Sequence, residues 1–222
     1  MTEIEKERNK KELEICSKDN YYFEKKLIEK GIKYICGVDE VGRGPLVGPV
    51  VAAAVILPIN FKLEGLTDSK KLTEKKRNEF NEIIKDKAIA YSIAEIDNKT
   101  IDEVNIYEAT KMAMKKAIQG LDIKPEHILI DAMKLDLDVP TTSIIKGDFK
   151  SRTIAAASVL AKVYRDNLLY ELDKEYPVYN YKSNKGYPTK EHIEKINKYG
   201  INEYYRKSYS PVRDYLNSID IN

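Results

Sequence analysis

The sequence has few cysteines and no long apolar run, and both features limit what the protein can be. Its 222 residues include only two cysteines, Cys16 and Cys36, whose spacing fits neither a disulfide framework nor a zinc motif. The two histidines, His127 and His192, also stand outside any zinc-binding pattern. No window is apolar enough to cross a membrane, and the first residues lack the apolar core of a signal peptide. We therefore expect a cytoplasmic protein without a membrane partner, and no zinc hydrolase.

An excess of charge of either sign is also missing. The chain carries 38 basic and 36 acidic residues, which gives a net charge of +2. The molecule as a whole therefore hardly attracts a polyanion, and a nucleic-acid surface must come from local clustering. Residues 1–30 show the same balance, with eight basic and eight acidic residues. We expect them to form a solvated helical lead-in without chemistry, with Leu13, Cys16, Phe23 and Leu27 as its apolar contacts.

Near the C-terminus the composition changes. Residues 176–213 hold eight basic and three acidic residues, together with eight of the sixteen tyrosines. Basic and aromatic side chains together suit phosphate neutralisation and base stacking. The alternative is a small helical cap whose tyrosines pack on the main domain, and both can hold, because tyrosine has an apolar body and a polar tip.

Apolar runs of strand length alternate with helical patterns along the chain. The predicted strands cover residues 34–38, 50–57, 88–96, 128–131 and 141–146. The predicted helices cover residues 73–84 and 100–119, with Gly120 as a C-cap, and a long helix follows from residue 150. Small residues in that last helix, at positions 155–158 and 161, let its axis approach a sheet closely. The pattern alone gives an α/β fold class.

Carboxylates stand where these strands end. Asp39 and Glu40 follow the first strand, Asp131 ends the fourth, and Asp148 follows the fifth. Clustered carboxylates repel one another unless a cation offsets their charge, and oxygen-only ligands favour Mg²⁺ or Mn²⁺. Since side chains alternate along a strand, Asp39 and Glu40 share a site only if the strand ends or bulges there. Otherwise this pair simply begins a solvated turn.

A glycine-rich segment follows the first acids. Residues 39–45 read Asp-Glu-Val-Gly-Arg-Gly-Pro and residues 48–50 read Gly-Pro-Val, which resembles the signature of the ribonuclease HII family. Three further segments agree: Asp-Ser-Lys-Lys-Leu at 68–72, Gly-Tyr-Pro-Thr at 186–189, and residues 204–213, where Tyr209 replaces a family Phe. The resemblance covers roughly residues 30–215.

This resemblance implies both a fold and an activity. The fold would be ribonuclease H-like, a mixed five-stranded sheet flanked by helices with a small helical C-terminal region. Its parts would be a lead-in over residues 1–30, a catalytic domain over 31–175 and a substrate-binding region over 176–222. The enzyme would be a monomeric, metal-dependent endonuclease. It would cut the RNA strand of RNA–DNA hybrids and cut 5′ of single ribonucleotides in duplex DNA, leaving 3′-hydroxyl and 5′-phosphate ends. Ribonucleotide excision repair and DNA replication would be its settings.

The resemblance also assigns residues. Asp39, Glu40, Asp131 and Asp148 would hold two Mg²⁺ or Mn²⁺ ions. The backbone of Gly42, Arg43 and Gly44 would meet the ribose 2′-hydroxyl, and Tyr187 would meet the substrate sugar. Lys70 would lie near the nucleic acid, or be ordinary solvated helix charge. Asp166 competes with Asp148 for the fourth ligand position, and we assign Asp148 as the ligand, with Asp166 supporting it from outside the site.

Two other functions compete with this prediction. One is a non-catalytic nucleic-acid-binding module that keeps the fold, against which the four intact carboxylates argue. The other is a nuclease or recombinase of the same fold, such as a junction resolvase. Resolvases share clustered acids, but the glycines beside Arg43 together with Tyr187 favour the ribonuclease.

Overall fold

The computed structural model describes residues 19–219, together with Glu3, Glu7, Glu14 and Ile15. Leu13 and Cys16, predicted as apolar contacts of the lead-in, lie outside the described residues. The described strands are β1 Ile35–Val41, β2 Val50–Ile56, β3 Ala90–Ile96, β4 His127–Asp131 and β5 Thr141–Ile144. The described helices are α1 Tyr22–Ile28, α2 Glu74–Lys87, α3 Asn98–Val104, α4 Ile106–Gln119, α5 Gly147–Lys150, α6 Arg152–Glu175, α7 Tyr181–Asn184, α8 Lys190–Tyr199 and α9 Ser210–Ile219. Two short 3₁₀ helices lie at Ser69–Lys71 and Pro177–Tyr179.

The five strands form one mixed sheet in the order β3-β2-β1-β4-β5. β1 runs antiparallel to β2, and β2 runs antiparallel to β3. β4 and β5 add to the other side of β1 in parallel. This arrangement confirms the predicted mixed five-stranded sheet and puts β1, the strand that carries the first two acids, at its centre.

Helices cover both faces of the sheet. On one face, α4 packs against β1, β2 and β3, and it buries Ala109 and Met114 among strand side chains such as Val38. On the other face, α6 packs against β1 and β2, with α2 beside it. Cys36 is fully buried in the first of these cores, and burial raises the pKa of its thiol to about 12. It is therefore a core residue without reactive character.

The long helix α6 approaches β1 closely, as its small residues predict. Ala155, Ala156 and Ala157 are fully buried against the sheet. A Cβ atom on Gly37 would lie only 2.1 Å from the backbone carbonyl carbon of Thr153. Glycine on β1 and small residues on α6 thus fix how near the helix lies to the acid-bearing strand.

The single helix predicted after β3 is in fact two helices, α3 and α4. They meet at Asn105, whose φ of 70° interrupts the helix. Asparagine tolerates this left-handed region, and its side chain caps α4 by accepting hydrogen bonds from the N–H groups of Tyr107 and Glu108. Met112 is exposed, whereas Met114 is fully buried.

The expectation of a wholly solvated lead-in is wrong for α1. Glu24 is buried, and its Oε1 accepts hydrogen bonds from the Ser151 hydroxyl at 2.7 Å and from the N–H and hydroxyl of Thr153, both at 2.9 Å. Phe23 and Leu27 pack beside it, as predicted. Burial raises the pKa of the Glu24 carboxyl. The segment therefore anchors the start of α6.

The C-terminal tyrosines divide between packing and exposure. Tyr179, Tyr181 and Tyr205 are buried around His192 and form a core with residues from α6. Tyr187 and Tyr199 remain exposed. The packing interpretation therefore holds for the first group, while the three-part domain division stays a prediction. Within residues 19–219 no helix combines the length and the apolar character needed to cross a membrane.

Candidate active site

The first two acids lie inside β1 rather than after it. The strand continues to Val41, and Asp39 and Glu40 pair regularly with Ala53 and Ala52 on β2. The strand predicted to end at Val38 is therefore three residues longer, and it ends at Val41, just before Gly42. On the other side, however, the parallel pairing with β4 extends only to Val38. Asp39 and Glu40 thus stand beyond the last paired residue of β4, at an open edge of the sheet.

Asp131 and Asp148 reach the same edge from β4 and α5. Asp131 is the last residue of β4, and its Oδ1 accepts a hydrogen bond of 2.6 Å from the N–H of Gly147. Asp148 follows in the first turn of α5. A Cβ on Gly147 would lie 2.7 Å from Ile154 Cδ1 and 3.2 Å from Asp131 Oδ1. Glycine at 147 therefore lets the two carboxylates come together.

The four carboxylates share one electrostatic environment. Burial, followed by the nearby charges of Glu40 and Asp131, raises the pKa of Asp39 well above its usual range. Burial also raises the pKa of Glu40 and of Asp131. The pKa of Asp148 rises to about 6, through burial and then through Asp68 and Asp131. Negative charge is thus concentrated at this edge, and a bound cation would relieve it.

The donor set fits Mg²⁺ or Mn²⁺, but the protein alone does not form a closed cage. Among the described residues, no group of three or more His, Cys, Asp and Glu side chains is arranged to hold a metal ion by itself. Present hydrogen bonds explain part of this, since Asp39 Oδ1 accepts from the Glu40 N–H at 2.7 Å and Asp131 Oδ1 accepts from Gly147. Mg²⁺ commonly takes one or two carboxylates and completes its shell with water and substrate phosphate. Oxygen-only carboxylates at one edge, with Asp39 buried and the other three half-buried, suit that mode of binding.

The glycine-rich loop lies directly beside these acids. Glu40, Arg43, Lys70 and Tyr187 line one cavity of about 450 Å³ together with Val41, Gly42, Gly44 and Ile106. A Cβ on Gly44 would lie 3.3 Å from the ring of Tyr187. The structure therefore brings together all five residues predicted to bind substrate.

A second cavity, of about 650 Å³, opens on the other side of Lys70. Its lining combines Asp131 and Asp148 with a set of basic, acidic and apolar residues, namely Asp68, Lys70, Lys71, Ala132, Ile145, Lys146 and Phe149. Burial acts to lower the pKa of Lys70, but Asp39, Asp68 and Asp148 raise it. Lys70 thus lies among these acids and lines both cavities, and its part in binding nucleic acid stays a prediction.

Sequence reasoning missed two residues of this site. Asp68 caps the 3₁₀ helix by accepting from the Lys70 N–H at 2.9 Å, and it also influences the pKa of Asp148. Ser158, on α6, bonds the Ser69 hydroxyl at 2.8 Å and interacts with Asp39. Asp68 stands in the Asp-Ser-Lys-Lys-Leu motif, so this signal was available. For Ser158 the sequence offered only the pattern of small residues, which indicates helix packing and not a role in the site.

Asp166 lies two turns further along α6 than Ser158, about 12 Å by helical rise. It is buried and pairs with Lys162 at 2.6 Å and with Arg77 at 3.9 Å. Arg77 in turn donates to the carbonyl groups of Ser69 and Leu72. These contacts join Asp166 to the segment that carries Lys70. Its assignment as a supporting residue stays a prediction.

The fold and this site together indicate the class of protein to which the chain belongs. Carboxylates cluster on the central strands of a mixed sheet, beside a loop with exposed backbone and a groove with several lysines. Such a site suits metal-dependent phosphoryl transfer on a nucleic acid.

Comparison with known proteins narrows the class. The family model for ribonuclease HII matches residues 36–212. A ribonuclease HII of Bacillus cereus (strain G9842) is 50% identical over 210 residues, which cover 93% of this chain and 82% of the relative. The chain belongs to the ribonuclease HII family. It is a metal-dependent endoribonuclease, and its family cuts the RNA strand of RNA–DNA hybrids.

Solved structures agree on the fold. The crystal structure of ribonuclease H2 from Pyrococcus horikoshii OT3 matches with a TM-score of 0.73 at 26% identity, over 85% of this chain and 99% of that one. Bst-RNase HIII, solved in complex with Mn²⁺, matches with a TM-score of 0.62 at 17% identity, over 86% of this chain and 71% of that one. The second likeness concerns the fold alone.

Proposed function

We propose that this enzyme also cuts 5′ of a single ribonucleotide embedded in duplex DNA, leaving 3′-hydroxyl and 5′-phosphate ends. The main support is the cavity that Glu40 shares with residues 42–44 and Tyr187. In this cavity the Glu40 carboxylate, which would lie beside the scissile phosphate, is close to the backbone of residues 42–44 and to the Tyr187 ring. That backbone and that ring can contact the ribose. A single ribonucleotide can then be recognised where the strand is cut.

In this proposal, Asp39, Glu40, Asp131 and Asp148 hold two divalent ions, Mg²⁺ or Mn²⁺. Such ions, when bound, offset the carboxylate charge and stabilise the attacking and leaving oxygens of an in-line displacement. Water attacks the phosphorus, the new O–P bond forms as the P–O3′ bond breaks, and a proton passes to the leaving 3′-oxygen. The Gly147 N–H fixes one oxygen of Asp131 throughout. The Mn²⁺ bound by Bst-RNase HIII is consistent with this choice of ion.

Recognition in this proposal rests on the 2′-hydroxyl, which separates RNA from DNA. Backbone groups of Gly42, Arg43 and Gly44 bind it, and the Tyr187 ring packs on the neighbouring sugar. Lys70 binds a backbone phosphate between the two cavities. A site built to hydrogen-bond a hydroxyl rejects the analogue without it, because its own polar groups are then left unpaired.

The same proposal covers the wider setting. We expect the enzyme to act as a monomer in the cytoplasm, in ribonucleotide excision repair and DNA replication. Residues 31–175 would supply catalysis, residues 176–222 would supply substrate contacts through Tyr187 and the basic side chains, and residues 1–30 would be the lead-in.

Tyr187→Ala tests the recognition step. It should lower kcat/KM for a lone ribonucleotide more than for a long RNA–DNA hybrid, where neighbouring positions offer other registers, and Tyr187→Phe should fall between. Tyr199→Ala is the matched control, because Tyr199 is equally exposed but ends α8. Equal losses on both substrates would limit Tyr187 to a role in the fold.

The same assay separates the competing functions. A protein that binds the duplex but does not cut it with Mg²⁺ or Mn²⁺ would be a binding module. Cleavage of DNA-only junctions, without cleavage at the ribonucleotide, would indicate a resolvase. Either result would contradict the proposal.

A further inference from the structure

The backbone of the glycine-rich loop is held from behind by one arginine. Arg206, fully buried, donates to the carbonyl oxygens of Gly42 at 2.6 Å, Arg43 at 3.1 Å and Gly48 at 2.8 and 3.0 Å. These bonds join positions more than 150 residues apart in the sequence. One rigid guanidinium therefore fixes both ends of the loop.

A tyrosine completes the contact. The Tyr209 hydroxyl donates to the Arg43 carbonyl at 2.5 Å and accepts from Arg206 Nη1 at 3.0 Å. Arg206, Tyr209 and the Arg43 carbonyl thus form a closed triangle of hydrogen bonds. This is the position where the ribonuclease HII pattern has Phe, which lacks the hydroxyl. The Tyr209 hydroxyl is consequently a second attachment of the Arg43 carbonyl, beside Arg206.

The hydrogen bonds to the loop carbonyls also determine where the N–H groups of Arg43 and Gly44 point. In a trans peptide the C=O and the following N–H lie in one plane and point in opposite directions. Holding the carbonyls of Gly42 and Arg43 towards Arg206 therefore turns the N–H groups of Arg43 and Gly44 the other way. Both residues line the cavity beside Glu40. Among the described residues, none accepts a hydrogen bond from either N–H.

Among the described residues, no carboxylate forms a salt bridge with the arginine behind this loop. A second buried arginine, Arg165, donates to the carbonyls of Pro49, Val47 and Lys185 at 2.9 to 3.1 Å. Arg165 thus donates to carbonyl oxygens, and Arg206 donates to carbonyl oxygens and to the Tyr209 hydroxyl. Arginine is chosen at such places because its donors form a fixed fork, which lysine cannot reproduce.

We propose that Arg206 and Tyr209 are positioning residues that orient the Arg43 and Gly44 N–H groups towards the 2′-oxygen of the ribonucleotide. The inference rests on the proposed recognition of a single ribonucleotide. The hydroxyl of Tyr209 sharpens the discrimination between ribose and deoxyribose, although it touches neither sugar. Arg206 provides most of the orientation, and Tyr209 removes the remaining freedom of the Arg43 peptide.

The test compares Tyr209→Phe with wild type in two assays. Without divalent metal, the dissociation constants of a single-ribonucleotide duplex and of the all-deoxy duplex of the same sequence give a discrimination ratio. With Mg²⁺, kcat/KM is measured on the single-ribonucleotide duplex. Losing the hydroxyl removes its hydrogen bonds to the Arg43 carbonyl and from Arg206. This should lower both the ratio and kcat/KM about three- to tenfold, with unchanged affinity for all-deoxy DNA.

Tyr179→Phe is the matched control. It removes another tyrosine hydroxyl bonded to a backbone carbonyl of the C-terminal region, that of Gly200 at 3.0 Å, so it should leave the discrimination ratio unchanged. Arg206→Lys keeps the charge but loses the fork, and should lower the ratio further than Tyr209→Phe. If Arg206→Lys does not fold, Tyr209→Phe still decides, because it keeps the aromatic ring and removes only the hydroxyl.

The outcomes separate this inference from the function it rests on. Wild type that does not cut at a lone ribonucleotide would overturn the proposed function itself. Wild type that cuts and discriminates, with a Tyr209→Phe variant of the same ratio, would overturn only the positioning role. An equal loss of affinity for both duplexes would show that Tyr209 supports the fold alone.

Discussion

Each active-site carboxylate lies where its charge is poorly tolerated. Asp39 is only 5% exposed, and burial together with its acidic neighbours keeps its pKa well above the usual range. Such a site is unfavourable for folding unless a cation is bound. Function and stability therefore oppose each other at these four residues.

Amide substitutions should separate the two effects. Asp39→Asn, Glu40→Gln, Asp131→Asn and Asp148→Asn should each nearly abolish cleavage, while the metal-free protein unfolds at an equal or higher temperature, because repulsion is relieved. Cleavage rates and thermal unfolding in EDTA give the measurement. Asp136→Asn is the control, since that carboxylate is exposed in a loop. A greater loss in Asp166→Asn than in Asp148→Asn would mean that the fourth ligand is wrongly assigned.

Glu24 makes a different residue-scale prediction, for stability against pH. Burial raises its pKa above the ordinary 4.5, so the folded state binds this proton more tightly than the unfolded state does. The stabilisation is full below the ordinary pKa and is lost as pH rises through the raised value. The free energy of unfolding of wild type minus that of Glu24→Gln should therefore fall as the pH rises from the ordinary pKa through the raised one. If this difference in the free energy of unfolding stayed constant with pH, the raised pKa of Glu24 would be contradicted.

At the scale of elements, the spacing between β1 and α6 holds the site together. The acids are on the strand, and Ser158, which contacts Asp39, is on the helix. Gly37 is the residue that permits this spacing, because any side chain there would meet helix backbone.

Gly37→Ala should therefore destabilise strongly, by about 3 kcal/mol or more, since backbone cannot move aside as a side chain can. Gly120→Ala is the comparison: its Cβ would meet the Ser92 hydroxyl at 2.4 Å, which a change of rotamer can relieve. We expect a loss of about 1 kcal/mol or less there. Urea unfolding measures the loss of stability in both variants. Similar losses would mean that contact between Gly37 and the α6 backbone does not limit how closely the helix lies to β1.

The strands and helices also show how much of the fold can be predicted from the sequence. Apolar runs predict the strands, because short-range pattern determines them, and the resemblance carried by the glycine-rich signature adds the mixed sheet. The structure places Asp39, Glu40 and Asp131 at one edge of that sheet. The end of β1 and the break at Asn105 were missed, since tertiary pairing and side-chain capping decide them. Contacts such as Glu24 with Ser151, or Arg206 with Gly42, join distant positions and leave no local pattern.

At the scale of the whole molecule, a net charge of +2 leaves little long-range attraction for DNA. Affinity must come from lysines near the acids, including Lys146 in the larger cavity.

Salt dependence tests this distribution. Lys146→Ala should reduce the slope of log affinity against log salt by about 0.9, the value for one lost phosphate contact on duplex DNA. Lys87→Ala is the control, because Lys87 is exposed at the far end of α2 and pairs with Asp86. Equal slopes for wild type and Lys146→Ala would remove this lysine from the binding surface.

The central claim is that one edge of the sheet both recognises a ribonucleotide and cuts beside it. The most direct measurement is cleavage of a duplex with one ribonucleotide, by wild type and Asp131→Asn, with Mg²⁺, with Mn²⁺ and with EDTA. We predict one cut, 5′ of the ribonucleotide, which needs metal and Asp131 and does not occur in the all-deoxy duplex. Cleavage confined to long RNA–DNA hybrids, or full activity in Asp131→Asn, would contradict the account.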